Sequence, residues 1–368
     1  MKNKKEKNNT KILIIILIAI IIIAGIILTI KILNPEETQT VGEKKKNTEE
    51  VSQPEPEEKK IQIVDTESKS RPYAVVINNN HSAWPQCGLQ DAYIVYEMIA
   101  EGGITRMLAL YKDQNTAKIG SIRSARHYFI DYALENDAIF VHWGGSPQAY
   151  NRLYSIDSMD GIALEGSVFF RDKTLKRDYE HTGFTSMENV KEYAEKRGYT
   201  RDTNRDLLLN YSADEINMSE KEGAEPATTV EIEYSYYHTT SYEYDAENKV
   251  YKRSMSDKAN VDLETGEQYT AKNIIIYKVR NYTLNDGENK GRQELDNVGS
   301  GTGYFITGGY VVPIIWDKSS DDAQTVYKYT NGEEIVVNDG NTYIQICPID
   351  SDITIEAPET ETNSKENT

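Results

Sequence analysis

Residues 12–30 read ILIIILIAIIIIAGIILTI, nineteen positions without a charge. At about 1.5 Å per residue, a helix of that length crosses the hydrocarbon core of a bilayer. Lys2, Lys4, Lys5, Lys7 and Lys11 precede it with only Glu6 opposing them, and positive flanks stay cytoplasmic. The remaining chain is therefore expected outside the membrane, tethered to the bilayer through residues 12–30. The run exceeds a cleavable signal's apolar region of roughly 7–15 residues, and Lys31-Ile32-Leu33-Asn34-Pro35 offers no small-residue cleavage site. A lipid-bearing cysteine just after the run is also excluded, because the only cysteines are Cys87 and Cys347. An uncleaved signal-anchor, residues 1–33, is the reading that fits.

Charge narrows the partners. The formal charge is −18, although the first eleven residues are strongly basic. So acidic an exterior argues against a nucleic-acid partner, which needs clustered positive charge. Any anionic ligand must find a local basic pocket. Two cysteines make no disulfide framework in an exported chain of this length, and free thiols are expected, with one long-range bridge left open. No Cys/His spacing suggests a metal, and nothing suggests a cofactor.

Residues 34–70 are charged, carry proline and lack apolar clusters, so a disordered stalk is expected there. A folded α/β domain with a mixed sheet is expected over 71–215. Tyr73-Ala-Val-Val-Ile77 reads as a buried strand, and Tyr93–Ala100 and Ile104–Tyr111 as a hairpin across Gly102-Gly103, with a helix through Asp91–Met98 as the alternative. A helix over 121–136 capped by Ser124, a strand at 137–141, a short helix near 148–154 and a helix over 186–196 follow. After Pro226, short alternating runs between Gly, Asn and Asp turns predict an antiparallel all-β domain over 225–350. Residues 351–368 are expected to be a disordered acidic tail. The overall class is α+β.

Three polar constellations stand in apolar surroundings of the first domain. Glu97 and Glu101 face Arg106 across the Gly-Gly turn, either as a structural ion pair or as a catalytic acid–base pair. Arg123, Ser124 and Arg126 sit at the start of a predicted helix. Positive charge there is unfavourable without an anion, which a ligand or a neighbouring Glu could supply. His142 precedes Gly144, Gly145 and Ser146, where exposed backbone can approach a ligand. Ser146 before Pro147 fits an N-cap better than a nucleophile. His181 is a further candidate, though a lone histidine is more often packed than reactive. Glycine-rich Asn297–Gly303 has neither the following helix nor the lysine of a phosphate loop.

These residues carry a family resemblance. Arg71-Pro72 with Ala74-Val-Val-Ile-Asn78, Ile94-Val-Tyr-Glu97, Glu101-Gly-Gly-Ile-Thr-Arg106, Ile119-Gly120 with Arg123-Ser-Ala-Arg126, and His142 with Gly144-Gly-Ser146 resemble the YerB-like lipoproteins. So do Thr265-Gly266-Glu267 and the stretch from Gly340 to Pro348. The likeness covers about 71–350. It implies a bacterial cell-envelope protein with paired domains and brings no reaction with it. Two departures stand out: the family's lipid-attachment cysteine is missing, and Glu180-His181-Thr182 replaces the usual Pro-His-Asn.

Two functions follow as expectations. One is a binding or scaffold module for an anionic envelope component, such as a wall polymer, or for a partner protein, through Arg106, Arg123 and Arg126. The other is a wall glycan or peptide hydrolase or lyase using Glu97 or Glu101 with His142.

Overall fold

The computed structural model describes residues 59–357. Residues 12–30, the stalk up to 58 and the tail from 358 lie outside the described residues. Among the described residues no helix is long and apolar enough to cross a membrane.

An eleven-stranded sheet, a six-stranded sheet, three sheets of two or three strands and several short helices make up the body. The strands of the large sheet that concern the site are β1 (Tyr73–Asn78), β2 (Ile94–Ile99), β3 (Thr105–Tyr111), β4 (Ile139–His142) and β5 (Ser158–Asp160). The second sheet is built on β6 (Thr229–Ser235), β7 (His238–Asp245) and β8 (Val250–Met255). The longest strands of the C-terminal half in the large sheet are β9 (Asn273–Val279), β10 (Gly299–Thr307), β11 (Tyr310–Lys318) and β12 (Thr342–Pro348). There the order β11-β10-β9-β12-β2-β3-β1-β4-β5 makes one continuous surface from both halves of the sequence. The last described strand, β13 (Asp352–Glu356), closes an edge of the second sheet against β6.

Sequence pattern decides which sheet each strand enters. Every residue of β1, β2 and β3 is buried, as expected of apolar runs covered on both faces. β6 alternates exposed and buried residues, so it has one wet face. β2 and β3 form the expected antiparallel hairpin, not the alternative helix. The C-terminal half departs from the antiparallel expectation: β9 pairs in parallel with β12, and β12 in parallel with β2. Their uninterrupted apolar runs suit burial on both faces rather than the half-wet surface of a hairpin sheet.

Both ends of the body extend further than composition suggests. Residues 59–70 were expected in the stalk, yet Val64 is buried, Ile61 and Ile63 pack on the core, and Lys112 Nζ donates to the Ser68 carbonyl at 2.9 Å. β13 lies where a tail was expected, with Ile353 and Ile355 packed against the core. In each case a few well-spaced aliphatic residues offset the surrounding charge.

Helix α1 (His127–Glu135) starts later than expected. Its N-cap is Arg126, with no side-chain cap, and Ser124 does not serve that role. Helix α2 (Pro147–Arg152) begins as read: Ser146 Oγ accepts from the Ala149 N–H at 3.1 Å and Pro147 occupies the first turn. Cys87 and Cys347 are buried free thiols.

Candidate functional site

β1, β4 and β5 run parallel, so the residues at their C-terminal ends, Asn78, His142 and Asp160, share one end of the sheet. The end of β2 and the start of β3 join them through antiparallel pairing. Open α/β sheets commonly carry ligands at this end, where loops leave the strands.

Alternation along β2 and β3 separates the first constellation. Glu97 is opposite Met107, and Arg106 is opposite Met98. Neighbouring positions on a strand point to opposite faces, so Glu97 looks towards the second sheet and Arg106 towards α1. The expected Glu97–Arg106 pair therefore does not form. Glu97 instead bonds Arg253 Nη2 at 2.7 Å, with both side chains fully buried. Thr105 Oγ1 at 2.7 Å, Asn79 Nδ2 at 3.0 Å, His238 Nε2 at 3.1 Å and Thr240 Oγ1 at 3.2 Å complete its surroundings. Burial alone would raise the Glu97 pKa. Arg253, His238 and Thr105 outweigh that and hold the carboxyl far below the usual carboxylate range.

Arg106 and Glu101 meet on the other face. Arg106 donates to Glu101 Oε2 at 3.2 Å and to the Ser124 carbonyl at 2.7 Å. Burial, then the charge of Arg126, lowers the Arg106 pKa. Arg126 grips both oxygens of Glu101, through Nε to Oε1 and through Nη2 to Oε2 at 2.6 Å. Burial pushes the Glu101 pKa up, and the Arg126 bond with the Arg106 and Arg126 charges takes it below normal. Glu101 is thus the anion that the basic residues before α1 require. Arg123 stands apart: its side chain is 24% exposed, and Nη2 bonds Glu180 Oε2 at 2.7 Å, where Glu180 is 55% exposed.

The Trp143–Ser146 loop lies against this group. Ala125 N–H donates to the Gly144 carbonyl at 2.8 Å and Ser146 N–H to the Ala125 carbonyl at 3.1 Å. The same Gly144 carbonyl accepts from His142 Nδ1 at 2.8 Å. That bond fixes the His142 tautomer, with the proton on Nδ1 and Nε2 without a hydrogen-bond partner. Burial lowers the His142 pKa, against the pull of Asp160 and the Gly144 carbonyl. Gly144 takes φ +75°, a left-handed turn that favours glycine. His181 is buried too. Its Nδ1 accepts from Asn78 Nδ2 at 2.9 Å, and burial lowers its pKa against the opposing Glu180 charge.

The structure thus gathers Glu101, Arg106, Arg123, Ser124, Arg126, Gly144, Gly145 and Ser146, with His142 beneath them and His181 beside Asn78. It leaves Glu97 on the opposite face. Two cavities of about 600 and 590 Å³ share no lining residue with these groups. Among the described residues no group of His, Cys, Asp and Glu could hold a metal ion.

Comparison with known proteins places this arrangement. Residues 61–200 match the N-terminal domain, and residues 230–344 the C-terminal domain, of a protein family of unknown function, DUF3048. The chain belongs to this family. It is 33% identical over 294 residues to the "Putative lipoprotein YerB" of Bacillus subtilis (strain 168), covering 76% of this chain and 82% of that one. The crystal structure of Bacillus subtilis YerB shares the fold with a TM-score of 0.66 at 32% identity, covering 78% of this chain and 94% of that one. The family therefore spans both halves that the large sheet joins.

Sequence reasoning missed the partners of Glu97. The signal was present: Tyr251, Arg253 and Met255 alternate inward on β8, as do His238, Thr240 and Tyr242 on β7. It also missed Trp143, whose ring packs over Gly161 and Gly183. A Cβ on either glycine would lie 2.4 or 2.6 Å from that ring.

Proposed function

We propose that this chain is a membrane-tethered protein of the cell envelope whose body faces away from the cytoplasm. It works as a binding module for an anionic envelope ligand or a partner protein, with Arg123 as the point of contact. The tether rests on the lysine-flanked apolar run at 12–30, which takes the place of the lipid implied by the name of the Bacillus relative.

The observation that carries the reading is the unequal state of the three arginines. Arg106 and Arg126 are committed to Glu101 and to backbone carbonyls. Arg123 makes one ion pair, with a half-exposed glutamate, and exposed pairs of this kind contribute only about 0–1 kcal/mol. A ligand carboxylate or phosphate can displace Glu180 at little cost and meet a planar guanidinium fork. The hydrolase reading lacks such support. Glu97 and His142 have no exposed surface, and both oxygens of Glu101 are held by Arg126, with Arg106 on one of them.

Binding of the full chain, in detergent, to purified wall sacculi that retain their anionic polymers tests this. Arg123→Ala should weaken capture, and Glu180→Gln should strengthen it, most clearly at low salt. Unchanged capture by a folded Arg123→Ala variant contradicts the reading.

A further inference from the structure

Three apolar side chains ring the Trp143–Ser146 loop with much of their surface in water. Ile162 is 66% exposed and approaches Gly144, and Tyr150 is 45% exposed and approaches Gly145. Tyr179, also 66% exposed, stands beyond Arg171. The tyrosines are pinned rather than loose. Tyr150 donates its hydroxyl to Asp160 Oδ2 at 2.8 Å, and Tyr179 donates to Glu165 Oε1 at 3.1 Å. The Arg171 guanidinium is clamped between the rings of Trp143, at 3.9 Å, and Tyr179, at 4.0 Å. Asp160 also accepts from the Gly144 and Ile162 N–H groups, so one carboxylate ties the loop, Ile162 and Tyr150 together.

Single exposed apolar residues need no explanation, but a clustered and rigidly held set does. We propose that this surface is a stacking platform for a polysaccharide chain. The inference rests on the binding reading above and names the chemistry of the ligand. A pyranose ring has an apolar C–H face and a rim of hydroxyls. Its face matches an immobilised tyrosine ring, which loses little conformational entropy on contact. Its hydroxyls match carboxylate acceptors, and Asp160 and Glu165 stand at the two tyrosine hydroxyls. Arg123, bonded to Glu180, adds one donor for an acidic substituent or a ring oxygen. A protein partner would favour the opposite arrangement, an apolar centre from which charged groups are depleted.

The test uses the full chain in detergent and two probes: wall sacculi with their anionic polymers, and the same sacculi chemically stripped to bare peptidoglycan. Tyr150→Ala and Tyr179→Ala should each weaken binding to the stripped glycan by about tenfold, and Tyr179→Phe, which keeps the ring, by less than about threefold. Far-UV circular dichroism and the urea midpoint should match the parent, because both side chains lie outside the buried core. The platform is overturned if the parent chain does not bind stripped glycan, or if the alanine variants bind it normally. It is also overturned if sedimentation shows that these tyrosines hold two copies of the chain together. If Arg123→Ala alone weakens capture of unstripped wall, the binding reading stands and the platform does not.

Discussion

Replacing Glu97 by Ala should be the most damaging single change in the body. The substitution leaves Arg253 charged, fully buried and without its counter-ion. It also removes the acceptor from Thr105, Asn79, His238 and Thr240. Those four have other partners: Asn79 Nδ2 lies 2.7 Å from Thr105 Oγ1, and His238 Nε2 lies 3.2 Å from Thr240 Oγ1. The neutral groups can therefore recover part of their bonding, and the orphaned guanidinium dominates. Removing one partner of a buried ion pair costs about 3–5 kcal/mol. At a urea m-value of ~3 kcal/mol/M, the midpoint should fall by ~1–1.7 M. The double substitution Glu97→Leu with Arg253→Met removes both charges and should be far less harmful than the sum of the two single changes. A loss below about 1 kcal/mol for Glu97→Ala, or strict additivity in the double variant, refutes the account of this pair.

Other expectations follow from the loops and termini. Gly161→Ala drives a Cβ to within 2.4 Å of the Trp143 ring and should cost about 1–3 kcal/mol, with a shifted tryptophan emission. The Glu101 pKa is depressed in the folded state, so its contribution is present above the unfolded value of about 4.3 and is lost as pH falls through the lower folded value. Glu101→Gln should flatten that acid limb in denaturation curves recorded from pH 6 to about 2. Val64→Asp places a charge at a buried position and should loosen residues 59–70, so that trypsin cuts after the already exposed Lys69 faster than in the parent.

What the sequence disclosed depended on whether a contact was local. Strands β1 to β3, the hairpin and the Ser146 cap follow from runs and turn residues. Contacts spanning the two halves were hidden. Nothing near Glu97 announces Arg253, more than 150 positions later, and the nearer Arg106 looks like the better partner until the alternation of the strand is applied. The merging of both halves into one sheet was hidden for the same reason, since an apolar run such as Thr342–Pro348 does not say which neighbour it pairs with or in which direction. At the termini, composition concealed Val64, Ile353 and Ile355, because a few aliphatic residues in charged company lower average hydrophobicity without losing their ability to pack. Of the candidate residues, the arginines were recognised as needing an anion. Which of them Glu101 would neutralise depended on side-chain reach that only the fold fixes.

An envelope ligand can meet Arg123 only if the body lies outside the cytoplasmic membrane. Protease added to protoplasts carrying the full chain, followed by immunoblotting of both ends, measures this directly. The account predicts that residues 59–357 become accessible while the lysine-rich start and a cytosolic marker stay protected. A body that survives intact protoplasts and is digested only after lysis contradicts it.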